Sequence, residues 1–343
     1  MTTQRNILSP LLTAIAAIVI SAPPPARAQN PSTEPVLSLS KGSGQAFPTK
    51  PIRMLVGFAP GGGTDTAARA IAAKLSERLG QQVVIDNRPG AAGNIATELT
   101  ISAVPDGHTL LLGSIASFSV NPSLYKKLPF DPLKDLAPLT RVADSTNILV
   151  IHPSVAVKSV KELIALAKTR TLNAGSSGIG GTGHLAIELF NLQAGVKMTH
   201  VPYKGGGPAI IDLLAGNIHL IFATAASAVQ HIKANKIHAL GVSTLKRWSF
   251  MPEIPTVAEA GVPGFETNNW YGYMVPLQTP QPIVARLNKE ITTILLLPDV
   301  KDYLFRQGMD VAPSTPEDFA KYIRSETVKW EKVIKAAGLY KSN

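Results

Sequence analysis

The stretch IRMLVGFAPGGGTDTAARAIAAKLSERLG, residues 52–80, decides the fold class of this chain. A short apolar run is followed by a glycine-rich turn and by a segment whose apolar residues recur at helical spacing, which Gly80 ends. This order predicts a strand, a tight turn and a crossover helix of a parallel sheet. Residues 82–93 and 109–114 repeat the strand and the small-residue turn. Three such turns are therefore predicted to meet at the carboxyl edge of one sheet.

A second set of alternating segments follows a predicted strand at residues 147–151. Further strands are predicted at 171–174, 198–202 and 218–222, with small-residue loops and helices between them. The chain has 343 residues, enough for two domains of ordinary size. We predict an α/β protein whose first domain comprises residues 48–148 and 272–343 and whose second comprises residues 149–271. Helices predicted from residue 280 onward are expected to return and cover the first domain.

The amino terminus has the pattern of an export signal. Arg5 precedes a short apolar run, and Ala26-Arg27-Ala28 supplies small residues around a cleavage point, predicted after Ala28. The apolar run is shorter than the roughly 20 residues that span a bilayer, so a signal peptide at residues 1–28 is preferred to a membrane anchor. Residues 29–47 are rich in Ser, Pro and Gly and are predicted to be a flexible tether. The predicted location is the periplasm.

Charge and cysteine content exclude several function classes. The formal charge of +10 favours anionic partners. Nucleic acid is not expected, because the Lys and Arg residues are scattered instead of forming a basic, aromatic-interleaved patch. The sequence contains no cysteine, which excludes a thiolate nucleophile, a disulfide framework and a lipid attached through cysteine.

The turn from Phe58 to Asp65, FAPGGGTD, is a candidate anion site. Glycines between a strand and a helix let backbone N–H groups point at a ligand, and the helix N-terminus adds partial positive charge. The alternative is a tight turn that needs glycine only for its backbone angles. ATP binding is disfavoured, because no Gly-Lys-Ser/Thr follows the turn.

The loop GIGGTG, residues 178–183, matches the GxGxxG dinucleotide fingerprint. That fingerprint also requires an acidic residue at the end of the next strand, which residues 198–203 do not offer. We therefore interpret the loop as a second anion-facing segment, with Ser176, Ser177 and Thr182 as hydroxyl donors. His184, at the start of the following helix, is a further candidate contact.

No catalytic motif is present. The sequence contains neither HExxH nor GxSxG, and Asp65 in the first turn of a helix is expected to compensate the helix dipole. No enzymatic activity, metal or cofactor is predicted. One helix terminus contributes about 0.3–1 kcal/mol to anion binding, whereas micromolar affinity requires about 8 kcal/mol. Several loops must therefore converge on one ligand.

Seven segments in order carry a family resemblance: residues 48–65, 83–98, 105–114, 175–190, 201–222, 254–266 and 270–288. Together they resemble the periplasmic solute-binding subunits of tripartite tricarboxylate transporters, the Bordetella uptake gene family, over residues 47–338. The resemblance implies a periplasmic-binding-protein-like fold: two Rossmann-like α/β domains, joined by two crossing hinge strands near residues 147–151 and 268–273, with a ligand cleft between them. It also implies that main-chain amides, small hydroxyls and bridging water hold a carboxylate.

Carried onto this chain, the resemblance and the loops together give a set of candidate ligand contacts. They are Phe58, Pro60, Gly61, Gly62, Gly63, Thr64, Asp65, Asn94, Ser114, Ser176, Ser177, Gly180, Thr182, His184, Tyr203, Lys204, Gly205, Thr224 and, at the cleft edge, Trp270. Family members usually have Asp in the segment where this chain has ATAAS, residues 223–227. The expected function is capture of a small mono- or dicarboxylate by a monomer that delivers it to membrane-embedded transporter subunits. The alternative is an exported enzyme or a sensory partner that uses the same cleft.

Overall fold

A computed structural model describes residues 47–342 of the chain. The predicted signal peptide and all but the last residue of the predicted tether lie outside the described residues. The strands are β1 Ile52–Val56, β2 Val83–Asn87, β3 Thr109–Ser114, β4 Leu136–Ser145, β5 Asn147–Ile151, β6 Asn173–Ser176, β7 Thr199–Pro202, β8 Leu220–Thr224, β9 His238–Val242, β10 Asn269–Pro276 and β11 Met309–Val311.

Helices connect and cover these strands. They are α1 Gly63–Leu79, α2 Asn94–Ile101, α3 Asn121–Leu124, α4 Pro132–Asp135, α5 Val160–Thr169, α6 Thr182–Ala194, α7 Gly206–Leu214, α8 Ala225–Lys233, α9 Val257–Ala260, α10 Gln281–Leu295, α11 Pro298–Arg306 and α12 Pro316–Ala336. A short 3-10 turn at Ala91–Gly93 and a π-helix at Ala116–Val120 precede α2 and α3. Among residues 47–342, none of the helices combines the length and the apolar character needed to cross a membrane.

The first sheet has the strand order β11-β4-β10-β3-β1-β2. Strand β1 pairs in parallel with β2 and with β3, as the three repeated strand-and-turn segments predicted. Strand β10 runs antiparallel between β3 and β4. Because β10 is reversed, its amino end lies at the edge where β1 and β3 end.

The second sheet has the strand order β7-β6-β8-β5-β9. Strand β6 pairs in parallel with β7 and β8, whereas β5 runs antiparallel to β8, with Asn147 opposite Thr224. The carboxyl ends of β6, β7 and β8 and the amino end of β5 therefore share one edge. The two sheets with covering helices confirm the predicted α/β class.

The chain passes between the sheets at two places. Strand β4 of the first sheet is followed by β5 of the second with only Thr146 between them. The return runs from Ser243 to β10, and the two crossings are tied by a hydrogen bond of 2.9 Å from the Ser243 N–H to the Asn147 carbonyl. These crossings place Asn147 and the start of β10 at the junction of the two sheets.

The carboxyl-terminal helices pack on the first sheet. Leu287 and Ile291 of α10 share a fully buried core with Ile71 and Leu75 of α1. Phe319 of α12 belongs to a second core on the other face of that sheet. Burying such side chains contributes about 1.5–3 kcal/mol each, so these helices stabilise the first sheet.

Candidate functional site

A small cavity lies where the strand ends of the two sheets face each other. Its volume is about 40 Å³. It is lined by Phe58, Gly62, Gly63, Thr64, Ser114, Asn147, Ser176, Ser177, Gly181, Thr182, Gly183, Gly206, Ala209, Ile221, Phe222, Ala223, Thr224, Asn269 and Tyr271. We call it the inner cavity. None of these lining residues, all within the described part of the chain, carries a charge.

Four helices begin at the inner cavity. They are α1, α6, α7 and α8, whose N-cap residues are Gly62, Gly181, Gly205 and Thr224. None of these four N-cap residues provides a side-chain cap. The first N–H groups of a helix have no partner within the helix and carry partial positive charge. The inner cavity therefore combines main-chain donors with positive potential although its walls are neutral.

Glycine is required where these helices approach neighbouring backbone or side chains. A Cβ at Gly63 would overlap the hydroxyl of Tyr271, and one at Gly62 would lie 3.3 Å from the Gly206 nitrogen. The glycine-rich turn that sequence analysis singled out thus lets the turn after β1 lie directly against the start of α7.

Neutral polar side chains complete the lining. Ser114, Ser176, Thr182 and Asn269 are all buried. Asn147 is 0% exposed, and neither its amide nitrogen nor its amide oxygen has a hydrogen-bond partner. An unpaired buried amide is costly, so this side chain is available to a molecule in the cavity.

Two stacked histidines lie behind Ser176. The His200 Nε2 atom is 2.7 Å from the Ser176 hydroxyl, and the rings of His184 and His200 are 4.1 Å apart. Burial lowers the pKa of His184 to about 4. Burial, together with repulsion from His184, lowers the pKa of His200 to about 3. Both rings are therefore neutral near pH 7, and His200 contacts the Ser176 hydroxyl without adding charge.

Asp65 faces away from the inner cavity. Its carboxylate accepts hydrogen bonds from Arg69 at 2.9 and 3.0 Å, from the Gly61 N–H at 3.1 Å and from Asn87 at 3.2 Å. Burial by itself raises the pKa of Asp65, but the hydrogen bonds from Arg69, Gly61 and Asn87 outweigh it and leave the pKa below its usual value. Asp65 thus shapes the turn, as expected for an acidic residue in the first turn of a helix.

A second cavity opens beside the first. Its volume is about 210 Å³, and it shares Phe58 and Ser177 with the inner cavity. Its other lining residues are Gly57, Gly90, Ala91, Ala92, Tyr125, Gly178, Ile179, Pro202, Tyr203 and Lys204. We call it the outer cavity. Because two residues border both spaces, the two cavities are neighbouring compartments of one cleft.

The structure brings many of the predicted contacts to these cavities. Phe58, Gly62, Gly63, Thr64, Ser114, Ser176, Ser177, Thr182 and Thr224 line the inner cavity, and Tyr203 and Lys204 line the outer one. The predicted contacts that line neither cavity are Pro60, Gly61, Asp65, Asn94, Gly180, His184, Gly205 and Trp270.

Most of the predicted contacts that line neither cavity have other partners in the fold. Asn94 accepts a hydrogen bond of 2.6 Å from Asn121, and the ring nitrogen of His184 accepts one of 3.2 Å from the Gly180 N–H. The Pro60 carbonyl lies against Gly207. Gly61 and Gly205 have φ of 84° and 149°, which favours glycine and lets them shape their turns.

Trp270 was expected to contact the ligand at the edge of the cleft, but it lines neither cavity. It is 0% exposed and packs against Phe118 and Phe319, and its indole donates a hydrogen bond of 3.2 Å to Glu326. Successive side chains of a strand point to opposite faces. Asn269 and Tyr271, its neighbours in β10, therefore face the inner cavity in its place.

Sequence analysis did not name Asn147, Gly206, Asn269 or Tyr271 as ligand contacts. Gly181 and Gly183 also line the inner cavity, and they belong to the loop 178–183 that the sequence predicted to face an anion. A signal for Asn147 was present, since it is a polar residue at the start of the otherwise apolar strand NILVI. Across the described residues, no group of three or more His, Asp or Glu side chains is placed to hold a metal ion.

Comparison with known proteins identifies a family for this chain. Residues 67–339 match the model of a family described as the tripartite tricarboxylate transporter family receptor. The protein BugT of Bordetella pertussis is 36% identical over 303 residues, which cover 86% of this chain and 92% of BugT.

Two solved structures are similar in fold and sequence. Rpa4515 of R. palustris, solved with adipate, has a TM-score of 0.83 and 39% identity and covers 85% of this chain and 99% of its own. MatC (Rpa3494) of Rhodopseudomonas palustris, with bound malate, has a TM-score of 0.80 and 32% identity, covering 84% of this chain and 100% of its own. These similarities confirm the periplasmic-binding-protein-like fold expected from the sequence. With a family model matched over most of its length and relatives above 30% identity, the chain belongs to the tripartite tricarboxylate transporter receptor family.

Proposed function

We propose that this receptor captures a small organic carboxylate in the inner cavity and presents it to membrane-embedded transporter subunits. The observation that carries the proposal is the convergence of four helix N-termini without side-chain caps on one neutral cavity. At α8 the first N–H, that of Ala225, binds the Thr146 carbonyl, so the later N–H groups of that helix are the ones left for a ligand. Such an arrangement favours an anion without a fixed cation, because the donors belong to the backbone. The adipate and malate bound by the two R. palustris proteins support a carboxylate as the anion.

The size of the inner cavity fits the head group of such a ligand. A volume of about 40 Å³ has room for about three water molecules on the scale where one water needs 10–15 Å³. A carboxylate has three heavy atoms and fills a similar space. The adjacent outer cavity, which shares Phe58 and Ser177 with the inner one, offers space for the remainder of a longer ligand.

The energetics favour shared binding by several groups. Four helix termini at about 0.3–1 kcal/mol each contribute about 1–4 kcal/mol. Hydrogen bonds from Ser114, Thr182 and Asn147 to a charged carboxylate contribute about 1.5–3 kcal/mol each. Their gross sum of about 6–13 kcal/mol brackets the roughly 8 kcal/mol of micromolar affinity. A pre-formed cavity keeps the cost of ordering the protein, which is subtracted from this sum, small.

Entry requires the cleft to open. We propose that residues 48–148 with 272–343 and residues 149–271 behave as two domains that part at the two chain crossings. The hydrogen bond between the Ala59 N–H and the Lys204 carbonyl would break on opening. Residues 1–28 would direct export, residues 29–47 would form a tether, and the receptor would act as a monomer in the periplasm.

The test is a thermal-shift panel of mono-, di- and tricarboxylates, phosphorylated compounds and uncharged sugars, followed by calorimetry on the best compounds. Carboxylates should raise the Tm in a concentration-dependent way and be recovered unchanged. Native mass spectrometry of the purified protein should identify a carboxylate that copurifies with it. Stabilisation by sugars alone, or conversion of the ligand, would contradict the proposal.

A further inference from the structure

We propose that a lysine-rich surface beside the cleft docks on the anionic headgroups of a phospholipid bilayer and so holds the cleft next to the membrane. We call this surface the basic patch. Its members are Lys126, Lys127, Lys332, Lys335, Tyr340 and Lys341. The inference goes beyond carboxylate capture, because none of these residues lines the inner or the outer cavity.

The first observation is a surface pocket that three lysines share. The segment after α12 folds back onto α3, where the Lys341 N–H donates a hydrogen bond of 2.9 Å to the Ser123 carbonyl. The Lys341 ammonium group donates another, of 2.6 Å, to the Pro122 carbonyl. Held in this way, Lys341 lines a pocket of about 380 Å³ together with Lys126 and Lys127. The fold therefore gathers cations that are far apart in the sequence.

Helix α12 extends this surface. The ammonium group of Lys341 lies 5.8 Å from the centre of the Tyr340 ring, and that of Lys335 lies 4.6 Å from the same ring. Lys332 precedes Lys335 by three residues in α12, a spacing that makes the two side chains neighbours on the helix surface. The basic patch is therefore continuous from the pocket to the last turns of α12.

The second observation is that most of the charge of the basic patch is not compensated. Asp131 also lines the pocket, but it already pairs with Lys134 at 2.9 Å. Glu331 pairs with Lys335 at 2.6 Å. The other four lysines of the basic patch form no ion pair with any residue from 47 to 342. A surface with such an excess of positive charge attracts an anionic partner.

The residue types of the basic patch favour a bilayer over a protein as the partner. Its cations are all lysines, whose ammonium groups are flexible point charges without the fixed fork of arginine. Lysine is depleted in protein–protein interfaces, whereas clustered lysines beside a membrane bind anionic phospholipids. Tyr340 is 42% exposed among these lysines, and tyrosine is enriched at the headgroup level of membranes. The basic patch therefore fits a phospholipid surface.

The place of the basic patch relates this docking to the cleft. Tyr125 lines the outer cavity, and the next two residues, Lys126 and Lys127, line the pocket of the basic patch. A receptor that docks through the basic patch therefore keeps its outer cavity close to the bilayer. Ligand release would then occur beside the membrane instead of in the surrounding solution.

The chain offers a second cationic surface as an internal control. Lys168, Arg170 and Lys197 line a pocket at the amino ends of β6 and β7, which is the sheet edge opposite the cavities. We call it the control pocket. Its lining residues include no aromatic side chain. Docking through the control pocket would hold the cleft away from the bilayer, so the two surfaces predict opposite orientations.

The experiment measures sedimentation of the purified full chain with two kinds of vesicle. One kind is phosphatidylcholine alone, and the other is equal parts of phosphatidylcholine and phosphatidylglycerol. At low ionic strength we expect the partition coefficient to be about tenfold or more higher on the anionic vesicles. It should fall as salt is added, because exposed charges are screened.

Two double variants separate the basic patch from overall charge. Lys126→Gln with Lys127→Gln should weaken partition onto the anionic vesicles about tenfold or more, because each lysine near an anionic surface contributes about fivefold. Lys168→Gln with Lys197→Gln removes the same charge from the control pocket and should leave the partition unchanged. All variants keep the same amino-terminal residues, so any binding by those residues is common to every measurement.

Fluorescence locates the contact. The three native tryptophans are buried, so an exposed tryptophan added by substitution reports on its own surroundings. Emission of Tyr340→Trp, measured against the wild type, should move to shorter wavelength when anionic vesicles are added. Thr171→Trp is the matched control, because Thr171 is exposed and lines the control pocket. Its emission should stay the same.

Three outcomes would overturn the docking proposal. The first is equal binding to neutral and anionic vesicles, and the second is an equal loss in the two double variants. The third is binding to inner-membrane vesicles that disappears after protease treatment of those vesicles and is absent with pure lipid, which would make the partner a protein. Calorimetry of the Lys126→Gln, Lys127→Gln variant with carboxylates in solution tests the proposed function separately, and its affinity should equal that of the wild type. Capture and docking can therefore fail independently.

Discussion

The backbone N–H of Ala59 donates a hydrogen bond of 2.9 Å to the carbonyl oxygen of Lys204. This bond joins the turn after β1 of the first sheet to the turn after β7 of the second. Next to it, the Pro60 carbonyl lies against Gly207. The two sides of the cleft therefore meet through main-chain atoms, and the contact leaves no space for a side chain.

Gly207→Ala should weaken ligand binding without destabilising the ligand-free protein. A Cβ at Gly207 would overlap the Pro60 carbonyl, so the closed contact is lost. In the open protein the same methyl favours helix α7 by up to about 1 kcal/mol. We expect at least tenfold weaker binding by calorimetry and an unchanged or higher Tm.

Gly206→Ala is the matched control for that variant. Its methyl would meet its nearest atom, the Cα of Gly62, at the ordinary contact distance of 3.5 Å. We expect a milder loss of affinity than for Gly207→Ala. Equal losses in both variants would show that closure at Pro60 is not the cause.

Gly62→Val should abolish carboxylate binding. Gly62 has φ −95°, which valine tolerates, but a Cβ there lies 3.3 Å from the Gly206 nitrogen and the valine methyls would extend further into the cavity. We expect no detectable heat of binding and a cooperative unfolding transition like that of the wild type. Normal binding by this variant would reduce the glycine-rich segment to a simple turn.

Asp65→Asn should affect binding only modestly, about two- to threefold, because Asp65 does not line the cavity. It should instead lower the free energy of unfolding at pH 7 by about 1 kcal/mol through the weakened hydrogen bonds to Arg69 and Gly61. The pKa of Asp65 is depressed in the folded protein. Its stabilisation is therefore complete well above pH 3.8 and is lost as the pH falls further, so urea titrations of variant and wild type should converge in acid.

Asn147→Leu should separate stability from binding. The Asn147 amide is buried without partners, and replacing an unpaired buried polar group by an apolar one of similar size removes a cost of about 1–3 kcal/mol. We expect the free energy of unfolding of the ligand-free protein to rise in urea denaturation. Calorimetry should show at least tenfold weaker carboxylate binding. Lower stability with unchanged affinity would mean that Asn147 is a structural residue.

The stacked histidines predict a loss of stability at mildly acidic pH. The ordinary histidine pKa of 6.5 falls to about 4 for His184 and about 3 for His200 in the folded protein. Between pH 6.5 and 4 the unfolded chain therefore binds more protons, and the Tm should fall as the pH drops through this range. His184→Gln should flatten the decline. His238→Gln, at an exposed position, should leave the slope unchanged.

The repeated pattern of strand, glycine turn and helix was enough to predict the α/β fold and two of the converging loops. The sequence of residues 52–80 is enough to predict its strand, turn and helix, because each of these elements is formed by residues close together in the chain. Phe58 and Gly62 were predicted as contacts from the first of these loops and Ser176 from the second, and all three line the inner cavity. The family resemblance supplied the cleft, which no local pattern reveals.

Residues at the chain crossings could not be assigned in the same way. Whether Asn269, Trp270 or Tyr271 faces the cavity depends on the register of β10 between β3 and β4, and a shift of one residue exchanges the two faces. Asn147 faces the cavity because β5 runs antiparallel to β8, which the sequence of β5 alone does not determine. His184 follows the predicted anion-facing loop, residues 178–183, but its ring packs on His200 and does not line the cavity.

Recognition of the carboxylate by main-chain N–H groups limits which changes in specificity a point mutation can produce. The donor groups at the starts of α1, α6, α7 and α8 are peptide N–H groups, and a point mutation changes a side chain without removing a peptide N–H, proline excepted. Selection for a new nutrient can therefore alter the tail that is accepted while the acid group remains recognised. New specificity is therefore expected to arise from side chains around the outer cavity, while the main-chain donors of the inner cavity stay the same.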